Sequence, residues 1–371
     1  MRVVIPFLSI IAVLAGVAVA SDISAKTSED DRAGATAPAQ RIETFDHNDS
    51  AGDRRHIRTG LRIAHRLDDG PWQFQNATYP RVGQQVRLRV RNDNVAHIRW
   101  YLIFADITRI YQNANRPGET GAYKWTGIDS IAYHRIEIDD AREMREIDPI
   151  AQLDTLVSAI SRWARDQGAS PRVVDFYKSE HGTFWFQVEG EIDGVAYRSI
   201  GLDDMTDRGI STRAFRMSLR QSDDFLGWIS TFYNVPGVFG SVLYQSRHYL
   251  GADCADVMMS AWHKWKQKNL TKNFNVQMLV TRFPKRAETR IHDGTPAQPV
   301  LWGKDVAPGD LITVRNADSK KFHHVGALVG DTNQNGILDA DDQIIHAGPY
   351  PLHLSSLKEG AFDGHVVVLR P

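Results

Sequence analysis

The chain has 371 residues, and its 44 lysines and arginines nearly balance its 45 aspartates and glutamates. This balance gives no support for a nucleic-acid partner or a membrane-surface partner. The chain is longer than a chain that folds around one hydrophobic core usually is, so we expect two or three domains. The single cysteine, Cys254, cannot form an internal disulfide. It is therefore either a buried apolar residue or a reactive thiol.

The first 20 residues have the pattern of a secretory signal peptide. Met1-Arg2 precedes an apolar run from Val3 that closes on Ala18-Val19-Ala20, where a peptidase needs small residues. A membrane anchor is the alternative, because this largely apolar run of eighteen residues is at the lower edge of the length that spans a membrane. The small residues favour cleavage. We therefore predict an exported protein, periplasmic or extracellular, with no stable membrane insertion after cleavage and a flexible polar leader over residues 21–42.

Residues 43–142 predict a β-rich domain. Val86, Leu88 and Val90 alternate with arginines, which is typical of a strand with one buried face. Residues 97–111 and 131–138 predict further strands. Aromatic residues of this region either stack on sugar rings or belong to the core; they are Trp72, Trp100, Tyr101, Tyr123 and Trp125.

Residues 143–221 predict a small α+β extension. Asp148-Pro149 is a helix start, the helix ends at Gly168, and its apolar stripe comprises Leu153, Leu156, Val157, Ile160 and Ala164. Residues 183–191 and 195–202, joined by Asp193-Gly194, predict a hairpin with a type I′ turn.

Residues 222–371 begin with a helix that starts at the cysteine. Asp253 is a natural N-cap, and an apolar stripe follows Cys254 with helical spacing at Val257, Met258, Ala261, Trp262 and Trp265. The helix N-terminus favours a thiolate, whereas Asp253 and Asp256 oppose it. Short strands are expected over residues 276–280, 308–314, 323–330, 343–347 and 365–369. A helix followed by strands predicts an α+β fold.

A cysteine nucleophile needs a base and a third group that orients the base. The candidate bases are His323, His324, His346, His353 and His365. Strand alternation places His323 and His324 on opposite faces, but the spacing alone does not say which face meets the helix.

Four short motifs occur in a fixed order along this region. They are Asp253-Cys254, Pro308-Gly309-Asp310-Leu311, His324-Val325-Gly326 and Ile345-His346-Ala347. Together they resemble the NlpC-type papain-like cysteine peptidases of bacterial cell walls, over residues 225–371. The resemblance implies a papain-like domain preceded by the β-rich domain. It also implies that Cys254 is the nucleophile, His324 the base and His346 the orienting residue.

The sequence departs from this family at two places. Ala255-Asp256 stand where the family has Ser-Gly after its cysteine, so the family's substrate specificity does not transfer directly. The family's cleft tyrosine has two candidates here, Tyr244 and Tyr249.

The connection between His324 and His346 has the spacing of a calcium loop. Oxygen-bearing side chains fall at positions 1, 3, 5, 9 and 12, a glycine falls at position 6, and the carbonyl of residue 7 is a further ligand. The predicted ligands are Asp331, Asn333, Asn335, Ile337, Asp339 and Asp342. A merely polar hairpin loop is the alternative.

These features predict an exported cysteine hydrolase that cleaves an amide bond in cell-wall peptide stems or a related peptide. We expect peptidoglycan or a peptide as substrate, one structural Ca²⁺ and no organic cofactor. The oligomeric state and the role of residues 41–222 stay open. Two alternatives remain: an acyl transferase with the same site, or a calcium-stabilised binding or scaffold protein without activity.

Overall fold

The computed structural model describes residues 41–44, 57–113, 131–206, 209–315, 320–348 and 350–371. The predicted signal peptide, nearly all of the predicted leader, Tyr123 and Trp125 lie outside these residues. Within them, no helix is long and apolar enough to cross a membrane.

The protein is a mixed α+β structure with about 19% helix and 36% strand, and one of its sheets curls into a half-barrel. Its helices over the described ranges are α1 (Leu153–Asp166), α2 (Pro171–Val174), α3 (Phe225–Ser230), α4 (Leu243–Arg247), α5 (Cys254–Trp265) and α6 (Val276–Arg282). Short 3₁₀ turns lie at Asp139–Ala141, Ile150–Gln152 and Leu202–Asp204.

The strands before α3 are β1 (Ile42–Thr44), β2 (Arg58–Thr59), β3 (Ile63–Leu67), β4 (Ala77–Thr78), β5 (Val86–Val90), β6 (Ala96–Ala105), β7 (Tyr111–Gln112), β8 (Tyr133–Glu137), β9 (Glu146–Ile147), β10 (Gly182–Ile192), β11 (Val195–Arg198) and β12 (Phe215–Leu219). Those after α3 are β13 (Val238–Phe239), β14 (Lys285–His292), β15 (Thr295–Pro296), β16 (Leu311–Arg315), β17 (His324–Gly330), β18 (Gln343–His346), β19 (His353–Ser356) and β20 (Gly364–Leu369).

The largest sheet joins strands from both predicted N-terminal regions. Its order is β1-β8-β6-β10-β11-β2, with β12 pairing β10 and β4. The long strand β10 lies antiparallel to β6 along one side, and it pairs β12 and β11 with its first and second halves on the other. Residues 143–221 therefore complete the sheet that residues 43–142 begin.

The C-terminal sheet carries the candidate histidines. Its order is β15-β14-β20-β16-β17-β18-β19, and neighbouring strands are antiparallel. Gly326 of β17 lies opposite His346 of β18. Helix α5 packs against β17, so the helix that begins at Cys254 lies against the strand that begins at His324.

Two hydrophobic cores lie on the two faces of β17. Val325 and Ala327 belong to the larger core, which also contains Trp100, Leu156 and Met258. Leu328 belongs to the smaller core, which includes Ile344 and Phe362. The larger core thus unites residues from before and after position 222.

Several sequence predictions are confirmed. All five residues of the predicted α1 stripe are buried, and α5 begins at Cys254. Asp193 and Gly194 both have positive φ, 52° and 75°, as a type I′ turn requires. Trp100 and Tyr101 are buried, at 0% and 2% exposure, so they are core residues.

The strand expected over residues 276–280 is wrong, because this segment is helix α6. The Asn275 side chain caps the helix by accepting the Met278 N–H at 2.9 Å. Val276 and Leu279 are buried three positions apart, which is helical spacing. The β-branched residues suggested a strand, but the cap and this spacing decide the local structure.

Candidate active site

The start of α5 is held by side chains that satisfy its free backbone N–H groups. Asp253 caps the helix by accepting the Asp256 N–H at 3.0 Å. Ser241 Oγ accepts the Asp253 N–H at 2.9 Å and donates its own proton to the Asp256 carboxylate. The polypeptide around Cys254 is therefore fixed before any substrate arrives.

Gly251 lets the segment before the cysteine approach a neighbouring chain segment closely. A Cβ at this position would lie 2.3 Å from Val238 Cγ2. On this side the Ala252 carbonyl accepts the Val238 N–H at 3.1 Å, and the Ala252 N–H reaches the Pro236 carbonyl at 3.1 Å. Glycine is needed here because the Val238 side chain occupies the space that a Cβ would take.

Cys254 lies beside both histidine strands. Its side chain is partly buried, and the nearby Val325 backbone N–H, one residue after His324, acts to lower the pKa of the thiol. The segment after β18 also reaches it, because a Cβ on Gly348 would lie 3.9 Å from the Cys254 nitrogen. Burial, and then the charge of Asp253, raise the pKa of the Cys254 thiol far above its usual range. The thiol is therefore protonated at rest.

His324 and His346 form a hydrogen-bonded pair, with His324 Nε2 and His346 Nδ1 3.0 Å apart. The bonding continues from His346 Nε2 to Ser355 Oγ at 2.9 Å. Antiparallel pairing of β17, β18 and β19 brings these side chains together. No local pattern in the sequence points to Ser355; only alternation from His353 along β19, a strand absent from the sequence predictions, places it on this face.

Phe362 and Gly326 shape the surroundings of this pair. The Phe362 ring lies 5.0 Å from the His324 ring and 5.7 Å from the His346 ring, centroid to centroid. A Cβ on Gly326 would lie 3.0 Å from both His346 Cβ and Phe362 Cζ. The glycine therefore leaves the space that the two rings occupy.

Burial controls the charge of both histidines. It lowers the pKa of His324 to about 4, with smaller contributions from His323 and His353. Burial also lowers the pKa of His346 well below its usual value, followed by the effect of His353 and then of His324. Both imidazoles are therefore neutral at pH 7.

A residue from before position 222 also packs against this region. Phe176, which follows α2, stacks on His353 with ring centroids 4.6 Å apart and an interplanar angle of 25°. His353 in turn lies 4.3 Å from the His346 ring, and its Nδ1 is 2.8 Å from the Pro351 carbonyl. His353 thus supports His346 rather than the thiol.

The remaining candidates lie elsewhere. His323 is exposed, and His365 Nε2 is 2.8 Å from Glu288. Tyr249 is a core residue stacked on Phe232, with ring centroids 4.5 Å apart. Tyr244 is partly buried and lies against His248.

The predicted calcium loop joins β17 directly to β18, and its side chains converge. Asp331 accepts the N–H groups of Asn335 at 3.2 Å and Gly336 at 2.7 Å. Asp339 Oδ2 accepts from the Asn333 amide at 2.9 Å and also from the Asn335 amide. Gly336 has φ +77°, which a glycine adopts without strain.

Asp342 is buried at the base of the loop, with 0% exposure. Its Oδ2 accepts from Trp302 Nε1 at 2.8 Å and from the Asp339 N–H at 2.9 Å, and its Oδ1 accepts the Thr332 N–H at 3.0 Å. Burial raises the pKa of Asp342. Only Oδ1 keeps an unused lone pair, so Asp342 fits a cation with one oxygen at most.

The other loop oxygens suit a hard cation, because they are carboxylates, amides and the Ile337 carbonyl. Over the described ranges, no three His, Cys, Asp or Glu side chains form a group that could hold a metal ion. A cation in this loop would therefore rely on the Asn333 and Asn335 oxygens as well.

Comparison of this chain with protein-family models, with curated proteins and with solved structures gives no significant match.

Proposed function

We propose that this protein is an exported cysteine hydrolase of papain-like type that cleaves an amide bond in cell-wall peptide stems or a related peptide. One observation carries the proposal. A cysteine at a capped helix start lies against the backbone next to His324, and His324 is itself hydrogen-bonded to His346. The packing of α5 on the antiparallel sheet supports a papain-like arrangement. The signal-like N-terminus supports export.

The hydrogen bonds of the two histidines select one set of tautomers for this chemistry. His324 Nε2 is bonded to His346, so Nδ1 is the nitrogen left to accept the thiol proton. Nε2 must then carry a proton and donate it to His346 Nδ1. His346 Nε2 consequently donates to Ser355 Oγ. His346 and Ser355 thus hold the base in its proton-accepting form.

Before substrate binds, the Cys254 thiol and His324 are both uncharged. Proton transfer during attack on the substrate is therefore favoured over a preformed thiolate–imidazolium pair. The thiol is protonated and His324 is neutral, so His324 removes the proton as sulfur bonds to the substrate carbonyl carbon. The Cys254 backbone N–H, at the helix start, is the candidate donor to the developing oxyanion. The imidazolium returns the proton to the amine as the C–N bond breaks, and water then hydrolyses the thioester.

Digestion of purified peptidoglycan tests this function. Wild type is expected to release peptide fragments whose masses show one cleaved amide bond, whereas Cys254→Ala releases none. His323→Asn is the matched control, since it changes an exposed histidine beside the base. Identical products from wild type and Cys254→Ala would contradict hydrolysis of this substrate.

We further propose that the 331–342 loop binds Ca²⁺ and so orders the connection between the strands of His324 and His346. Asp331, Asn333, Asn335 and Asp339 supply side-chain oxygens and Ile337 a carbonyl, while Asp342 contributes one oxygen and otherwise braces the loop. Chelation is expected to lower thermal stability and activity together. If both stay unchanged, calcium has no such role.

Terbium luminescence measures binding at this loop without an activity assay. Trp302 donates to Asp342, so it lies close enough to sensitise Tb³⁺ emission, and Ca²⁺ should compete. Asp331→Asn and Asp339→Asn are each expected to weaken binding by about tenfold or more, because ligand charge sets calcium affinity. Asp341→Asn is the control, as this exposed residue is not a predicted ligand. Equal loss in the control would contradict the site.

Two other functions are compatible with the same observations. An acyl transferase would form the same thioester and pass it to an amine, so added amine nucleophiles would appear in the products. The raised pKa of Cys254 favours the other alternative, a binding or scaffold protein with an inert thiol. Wild type that turns over no peptide, with or without an added amine, would support it.

A further inference from the structure

A cavity lies at the opposite end of helix α5 from the cysteine. Its volume is about 320 Å³, and its lining includes Tyr79, Trp185, Arg216, Arg247 and Lys264. Lys264 lies ten residues after Cys254, which places it about 15 Å along the helix. The cavity is therefore separate from the thiol.

The described residues that line this cavity are cationic and include no acid. Two arginines and a lysine line it, and no aspartate or glutamate does. Among the described residues, no carboxylate lies within ion-pair distance of Arg216, Arg247 or Lys264. In a chain with as many acidic as basic residues, these charges lack the partners that buried or confined cations usually have.

Two of these cations are held in place by one phenol. Tyr79 Oη accepts from Arg216 at 2.6 Å and from Lys264 Nζ at 2.7 Å. Arg216 also donates to the His248 carbonyl at 2.7 Å. Arg216 is buried, at 6% exposure, and its Nε–H has no hydrogen-bond partner. An anion here would meet cations whose positions are already set, which lowers the entropy cost of binding.

The pKa of a neighbouring histidine, His248, reflects the positive charge around this cavity. The pKa of His248 falls to about 4, first because of burial and then because of Arg216, Arg247 and Lys264. Burial alone would raise the pKa of Tyr79, yet Arg216 and Lys264 lower it overall. Both shifts support a local excess of positive charge.

A neighbouring cavity is also lined by basic side chains. It shares Asn76 with the first cavity, and Arg62, Arg91 and Arg213 line it, again with no acidic residue. Its volume is about 410 Å³. A single inorganic ion would leave most of this space empty, whereas a small molecule with several anionic groups matches both the volume and the spacing of charge.

We propose that these two cavities together bind an oligoanionic small molecule. One oxyanion group lies between Arg216, Arg247 and Lys264, and a further group lies over the arginines of the neighbouring cavity. Carboxylates and phosphates share the required chemistry, since both accept hydrogen bonds from arginine and lysine with charge assistance. The ring of Tyr79, which is partly exposed, offers contact area to the part of the ligand between its anionic groups.

Calorimetric titration of the full chain at constant ionic strength tests this site. The probes are tripolyphosphate and tricarballylate, with inorganic phosphate as the single-group reference. The better of the two oligoanions is expected to bind at least about tenfold more tightly than phosphate, because separate charges are engaged together. The stronger of the two probes identifies phosphate or carboxylate as the preferred group. Saturable binding by neither would overturn the proposal.

Variants that remove one positive charge distinguish binding at this site from non-specific electrostatic attraction. Arg247→Gln and Lys264→Gln are each expected to weaken binding by about fivefold or more, whereas Lys304→Gln, an exposed lysine outside both cavities, keeps wild-type affinity. Thermal unfolding in buffer checks that each variant folds. Equal weakening in Lys304→Gln would show non-specific attraction and overturn the site. Binding is independent of the thiol, so Cys254→Ala should bind as wild type does.

Discussion

The two ends of helix α5 lie in different environments. The difference shows how burial decides whether a titratable group is neutral or charged. At its first residue, Cys254 and the nearby histidines are largely removed from water, and their pKa shifts leave them neutral. At its other end, Lys264 lines a cavity beside two arginines. Neutral groups that can exchange a proton suit covalent chemistry. Fixed charges suit the binding of an oppositely charged ligand.

Replacing the base is expected to have the largest effect. His324→Asn should lower the rate of amide cleavage by about 10³-fold, because general base catalysis contributes roughly 10²–10⁴-fold. His323→Asn should change the rate less than about twofold, since this neighbour points away from the pair. Steady-state kinetics on a defined peptide fragment measures both. Similar losses from the two variants would show that the strand, and not the base, was disturbed.

The acid sensitivity of folding gives a second contrast between the two ends. His324 binds a proton near pH 6.5 when unfolded but only at about pH 4 when folded. Between these values the unfolded state holds more protons, so stability falls as the pH falls from 6.5 to 4 and is fully retained above 6.5. A shift of this size corresponds to about 3 kcal/mol.

Urea unfolding at pH 7 and pH 4 measures this effect. His324→Asn should lose about 3 kcal/mol less than wild type over this interval, since asparagine does not titrate. Lys264→Gln should lose nearly as much as wild type, because glutamine removes only the weakest of the effects that lower the pKa of His248. Equal losses in wild type and His324→Asn would mean that the histidine is not held neutral in the fold.

A smaller effect is expected from changing one charge at the buried end. Asp253→Asn keeps a residue type that caps helices well but removes a charge that raises the pKa of Cys254. Alkylation of the single cysteine by iodoacetamide at pH 8 should become up to about tenfold faster, since more thiolate is present. A rate equal to that of wild type would show that burial alone controls the thiol.

Local patterns in the sequence predicted much of the fold. The cap at Asp253, the α1 stripe and the Asp193-Gly194 turn each depend on residues close together in the chain, so their physical causes can be read from spacing. The order of the histidine strands also appears in the sequence. Helix α6 shows the limit, because β-branched residues resemble a strand until the capping bond of Asn275 is known.

Local sequence patterns do not predict contacts between residues that lie far apart in the chain. Ser355 joins the histidine pair only because β19 lies beside β18, and Phe362 reaches both rings across the smaller core. The cationic cavity combines Tyr79, Arg216 and Lys264, which lie far apart in the chain. None of these carries a local signal, since each depends on how sheets and helices pack after the elements form.

The stacking of Phe176 on His353 has a consequence for modularity. Transfer of the C-terminal region to another protein without Phe176 would uncover one face of His353, because this ring comes from the preceding region. A chimaera that grafts residues 222–371 onto another N-terminal partner would have to supply a ring of similar size at this place. The two regions are therefore expected to change together in any recombined or engineered descendant.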